Sequence, residues 1–250
     1  MDRLTRKELK TDKFAEGVGS SFEFLTEHKA QVTRWGLIAL AVVVIAGGVW
    51  LYRSHQATVR AELLAKAMQI DDATVGTPQP PRLNYPTQEE KEKARTAAFA
   101  EVASKYPGTQ EGAMAQLAIA AEQADKGQMD QAIKTFKDAS DTAPAPYDSV
   151  AKLSLAQMYA SQGKTADAEK LLRELVDKPS VFVSKEQATL ELAKVIGKKN
   201  PAEARKLLEP LSASSRTAVS RAAVAELGTL TANSAAPGAA PVVVTPAKTN

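Results

Sequence analysis

From Trp35 to Tyr52 the chain runs eighteen residues without a charge, mostly Leu, Ile, Ala, Val and Gly, between Arg34 and Arg53. A helix of that length rises roughly 27 Å, enough for the hydrocarbon core of a bilayer. Trp35, Trp50 and Tyr52 stand at its ends, where amphipathic rings favour the headgroup layer. The run therefore predicts a single membrane-spanning helix, residues 35–52, with a short piece before it and a long one after it. A cleaved leader fits poorly, because 34 residues precede the run and the small pair Ala39 and Ala41 lies inside it.

The leading segment, 1–34, carries Arg3, Arg6, Lys7, Lys10, Lys13, Lys29 and Arg34, whereas Arg53, Arg60 and Lys66 follow the run. That bias predicts a cytoplasmic amino terminus, which in a bacterium puts the larger part in the periplasm. Phe22, Leu25, Lys29 and Val32 recur at helical spacing, so part of the segment reads as an amphipathic turn on the inner leaflet. The chain has no cysteine, which excludes disulfides and thiolate metal sites.

Residues 53–70 contain neither Gly nor Pro and read as a helix continuing from the anchor. Gly76, Pro78, Pro80, Pro81 and Pro86 then mark 71–89 as an irregular connection skirting the domain. From 90 to 228 the composition turns to Ala, Leu, Glu, Lys and Gln with helical periodicity. Breakers at Pro107-Gly108, Gly127, Pro144 to Pro146, Gly163, Pro179 and Pro201 divide it into helical hairpins. The Ala/Pro-rich stretch 229–250 lacks the means to build a core and reads as disordered.

The hairpins repeat at about 36 residues. Gly127 and Ala132 recur as Gly163 and Ala168, with Ala204 next; Phe136 recurs as Leu172 and Leu208. The preceding helices carry Ile119-Ala120, Leu155-Ala156 and Leu192-Ala193. Ala120 facing Ala132, and Ala156 facing Ala168, would let two backbones approach. Larger apolar residues then fill the layers between hairpins, and Gly127 and Gly163 permit a left-handed turn. No hairpin buries its apolar face alone, so the units must stack.

This pattern, with the stretches GQMDQAIKTFKDASDTAP and GKTADAEKLLRELVDKP, resembles the tetratricopeptide repeat. The third unit departs from it, since Lys199 replaces the turn glycine. The expected fold is all-α: a single transmembrane helix, then a tetratricopeptide-repeat-like α-solenoid of three units. A leading half-hairpin near 90–106 and a capping helix near 215–228 complete it. The whole layout, and the segment VWLYRSHQATVRAE from Val49 to Glu62, resembles the YfgM-like ancillary subunits of the Sec translocon. That resemblance implies inner-membrane anchoring, a periplasmic repeat domain, and association with translocon subunits and periplasmic chaperones. The alternative is a periplasmic adaptor for envelope assembly or cell division without translocon contact. Other repeat proteins of outer-membrane assembly share the YPGT-type join, but are held by a lipidated cysteine that this chain lacks.

No active site is legible. His28 and His55 flank the anchor on opposite sides, and no phosphate loop, metal-ligand spacing or nucleophile elbow appears. Acids alternate with lysines as on a solvated helix face. A net charge of +3, with the signs interspersed, is no nucleic-acid footprint. No enzyme, cofactor or nucleic-acid partner is expected. The candidate binding surface is the first-helix face, lined by Met114, Leu117, Ala121, Val150, Leu153 and Gln157. Being apolar or neutral, it suits extended or partly unfolded secretory polypeptide. Leu117 and Ala121 stand where carboxylate-gripping repeats place Lys and Asn, so that specialised role is not expected. Gly36, Gly47 and Gly48 give the anchor a small-residue surface without the four-residue dimer spacing.

Overall fold

The chain's first proline is Pro78, and the first helix among the described residues, α1 (Lys29–Asp71), is uninterrupted up to that region. The structure is a computed structural model that describes residues 29–78 and 80–235. Most of the amphipathic segment expected around Phe22, and the tail from 236 onward, lie outside the described residues.

Residues up to Val59 form one unit and residues from Arg60 onward a second. In the first, the apolar stretch of α1 is long and hydrophobic enough to cross a membrane, and none of that window is buried. Trp35, Leu40, Val43, Ile45, Trp50 and Tyr52 are all exposed. A helix apolar on every side, with no protein around it, has no solvated face.

The second unit starts with the end of α1. Leu64 and Ala67 are buried with Phe99, Val102 and Ala115, so the stretch after the apolar run is core rather than a free extension. Between them lies the proline-bearing connection, closed by a two-residue parallel ladder of β1 (Thr74–Val75) with β2 (Asn84–Tyr85). The Asn84 amide donates to Gly76 O at 2.9 Å and the Lys91 ammonium to Ala73 O at 2.7 Å. Ala73 is buried. The connection is therefore fastened to the domain as well as skirting it.

The remaining helices alternate in direction: α2 (Gln88–Lys105), α3 (Gln110–Asp125), α4 (Met129–Thr142), α5 (Tyr147–Ser161), α6 (Thr165–Asp177), α7 (Lys185–Ile196), α8 (Pro201–Ser212) and α9 (Thr217–Ala235). Thr87, Thr109, Ser184 and Asn200 cap the starts of α2, α3, α7 and α8 by accepting a backbone N–H. The half-hairpin expected at 90–106 is α2, whose Phe99 and Val102 are buried with Leu64 and Ala67 from the end of α1. Three hairpins follow among the described residues, α3–α4, α5–α6 and α7–α8, closed by α9.

Gly127 and Gly163 turn with φ of 74° and 75°, and Ala120, Ala132, Ala156 and Ala168 are fully buried. Ala120 and Ala132 pack with Phe136 and Leu155. Ala156 and Ala168 belong to the larger cluster built on Leu172, Leu175, Leu192 and Leu208. At the third turn Lys199 adopts no left-handed conformation; Lys199 and Asn200 both donate to Ile196 O, at 2.9 and 2.7 Å. The capping helix runs past Gly228 to Ala235, beyond the composition break that read as the start of a disordered tail. Its buried Leu230 rests on α7, with Cδ2 within 2.8 Å of where a side chain on Gly197 would begin.

Candidate polypeptide-binding face

The first helices of successive hairpins, α3, α5 and α7, place equivalent residues in rows: Ala121, Gln157 and Lys194; Leu117, Leu153 and Leu190; Met114, Val150 and Gln187. Ala121 and Gln157 are exposed. Met114, Leu117 and Val150 are half-buried, each packed at the margin of a core cluster. Leu153 corrects the expectation: at 8 % exposure it belongs to the large cluster with Leu172 and Leu175. Leu153 is enclosed by the leucines of α6 and α7, Leu172, Leu175 and Leu192, whereas Leu117 sits at the margin of a smaller cluster built on Ala120, Ala132, Phe136 and Leu155.

The row continues further than the sequence reading took it. Between α5 and α7 opens a cleft of about 470 Å³ lined by Gln157, Ala160, Glu191, Lys194, Val195 and Lys198. Lys194 donates to Glu191 at 3.0 Å, and Lys198 is exposed. The face thus grades from apolar on α3, through neutral on α5, to charged on α7, beyond the six apolar or neutral residues expected from the sequence. Lys194 stands 37 residues beyond Gln157, as Leu192 does beyond Leu155. The 36-residue offset lands instead on Ala193, so the one-residue slip before α7 hid it.

A second group of polar side chains sits where α1, α2 and α3 meet. Glu122 is only 6 % exposed. Its carboxylate accepts from Thr96 at 2.6 Å and from Lys126 at 2.5 Å. Arg95 forms ion pairs with Glu122 at 3.1 Å and Asp71 at 2.5 Å, and its guanidinium lies 5.7 Å from the Phe99 ring centroid. Burial by itself would raise the Glu122 carboxyl. The hydrogen bonds from Lys126 and Thr96, with the charges of Lys126 and Arg95, outweigh burial and hold it below its ordinary value. The group ties α2 and α3 to the end of α1 through Thr96, Lys126, Arg95 and Asp71. Among the described residues no cluster of three or more His, Cys, Asp or Glu side chains is placed to hold a metal ion.

The tetratricopeptide repeat-like domain family matches residues 24–186, well over half of the chain. The chain belongs to that family. The matched stretch takes in the apolar run as well as the helices from α2 to the start of α7. No curated protein matches the sequence. Two crystal structures of a *Podosopora anserina* protein, described as a kinesin light chain with nearly identical TPR-like repeats, are similar in part. The first is 19 % identical with a TM-score of 0.48, over 59 % of this chain and 82 % of that one. The second, a single-substitution variant, is 18 % identical with a TM-score of 0.49, over 59 % and 81 %. Tetratricopeptide repeat-like domains are, as a rule, non-enzymatic surfaces for binding other proteins.

Proposed function

We propose that this chain is a single-pass membrane scaffold whose repeat domain holds polypeptides beside the secretion channel, as an accessory or chaperone-like subunit of the Sec translocon. The supporting observation is one helix, α1. Its first part is apolar on all sides and wholly uncovered, and its last turns are the first core helix of the repeat stack. Basic residues are denser before the apolar run than after it, which favours a cytoplasmic amino terminus and a periplasmic solenoid in a bacterial inner membrane. The translocon assignment rests on the resemblance of the Val49–Glu62 segment and the overall layout to YfgM-like subunits.

The graded face on α3, α5 and α7 is the surface offered to clients. Its apolar end suits unfolded segments, and its Lys194–Lys198 end suits polar or acidic ones. Carbonate extraction of native membranes tests the anchor: the chain is expected to stay in the pellet, and its release would overturn the span. A photoreactive residue at Ala121 tests the partner. Channel subunits, a membrane-bound chaperone or emerging secretory chains support this reading, whereas division or cell-wall proteins would replace it with the adaptor reading.

A further inference from the structure

One edge of the solenoid can be traced contact by contact. The chain enters the second unit at Arg60, whose Nε meets Glu111 at 3.2 Å at the start of α3. The α2–α3 loop lies beside the end of α4, where a Cβ on Gly108 would sit 3.7 Å from Thr142 O. At the start of α5, Ser149 and Ser180 share a 2.6 Å hydrogen bond, and the Tyr147 ring meets Phe182 edge-on at 5.2 Å. Arg60 and the α2–α3, α4–α5 and α6–α7 loops therefore share one edge, while the Gly127 and Gly163 turns occupy the other. Arg60 follows the end of the apolar run by only eight residues.

The α6–α7 loop on that edge has an unusual tip. Val181 is 87 % exposed, more than any large apolar side chain of the Trp35–Tyr52 run, and Phe182 is 48 % exposed. The loop is nevertheless well tied. Ser180 Oγ accepts from Phe182 N and Val183 N at 3.2 and 3.0 Å, Ser180 N donates to Val183 O at 2.9 Å, and Val183 is 1 % exposed in the core. Little conformational entropy remains to be lost when such a tip docks. Exposed Lys178 and Lys185 flank it. Of the neighbouring acids, Glu186 is engaged by Arg216 at 3.7 Å, and Asp177 offsets one lysine.

We propose that this edge rests on the bilayer and that Val181 and Phe182 insert into an anionic lipid surface, with Lys178 and Lys185 at the headgroups. Two side chains are far too few for a stable protein interface, which takes about 800 Å² per partner. They suit shallow insertion, where apolar burial and basic contacts to anionic lipid act together. An anchor that ends eight residues before Arg60 in sequence supplies the high effective concentration that so small a contact needs. The inference rests on the membrane-span reading above and adds a second lipid contact to it.

The test uses the full chain in vesicles of phosphatidylcholine with phosphatidylglycerol. Because the sequence has no cysteine, Val181→Cys gives a single nitroxide site, and Gln157→Cys gives a control on the first-helix face. The label at 181 is expected to lose most of its accessibility to a water-soluble nickel chelate while gaining oxygen collisions; the label at 157 stays aqueous. Adding Lys178→Gln and Lys185→Gln should return the 181 label to water. Nickel accessibility at 181 equal to that at 157, in a chain that still resists carbonate, overturns the edge contact alone. Equal shielding in detergent without lipid overturns it in favour of a protein contact. Release by carbonate overturns the span and this inference together.

Discussion

The two ends of the repeat stack are held in different ways. At the α5–α9 end the core is aliphatic, with Leu172, Leu175, Leu192 and Leu208 all but fully buried. At the α1–α3 junction the apolar cluster is small, Leu64, Ala67, Phe99, Val102 and Ala115, and the charged group of Arg95, Glu122, Lys126 and Asp71 completes it. Aliphatic packing is indifferent to direction and tolerates volume-conserving change. A buried carboxylate with defined donors accepts only one register of its neighbours. The charged junction therefore sets how the end of α1 docks, and the aliphatic end supplies most of the domain's burial.

This contrast can be broken from either side. The largest effect is expected for Leu172→Ala, which removes a fully buried side chain from the centre of the aliphatic cluster and should cost about 2–5 kcal/mol in denaturant unfolding. Glu122→Ala removes the carboxylate that Thr96, Lys126 and Arg95 share, leaving Arg95 only Asp71, and should cost about 1–3 kcal/mol. Its signature is selective, since hydrogen exchange should quicken in α1–α3 and not in α7–α9. Gly163→Ala forces a side chain into a left-handed turn at φ 75° and should cost about 1–2 kcal/mol. Ala121→Glu lies on an exposed site and should leave unfolding within about 0.5 kcal/mol of the parent.

Acid sharpens the same comparison without mutation. The Glu122 carboxyl lies below its ordinary value in the folded chain, so the unfolded chain binds that proton more readily. The cluster's contribution is then complete above the ordinary carboxylate range, near pH 4–5, and is lost as pH falls through the depressed folded value. Acid titration followed by hydrogen exchange should loosen α1–α3 before α7–α9. Simultaneous loosening at both ends would contradict the assignment.

The hairpin plan was legible because its signals are local. Gly127 and Gly163 at left-handed turns, and Ala120–Ala132 and Ala156–Ala168 at close approaches, each need only one helix pair to make sense. What was not legible depends on more distant neighbours. Leu64 and Ala67 look like any helix continuing from an anchor until α2 returns across the ladder to cover them. Leu153 and Leu117 hold equivalent places, yet only Leu153 is enclosed, because Leu172, Leu175 and Leu192 surround it while Leu117 borders a smaller cluster. The helix past Gly228 depends on one buried contact, Leu230 against α7, within a stretch whose composition points the other way. The charged end of the candidate face was hidden because α7 follows α5 at 37 residues rather than 36.

The most direct test of the central claim, that α3, α5 and α7 present a client-binding face, is site-specific photocrosslinking in native membranes at Gln157, compared with Asp138. Both are exposed, Gln157 in the cleft between α5 and α7 and Asp138 on α4. Protein adducts that form at Gln157 and are absent at Asp138 are the predicted result. Equal adducts at both sites, or none at Gln157 while Asp138 labels, would contradict it.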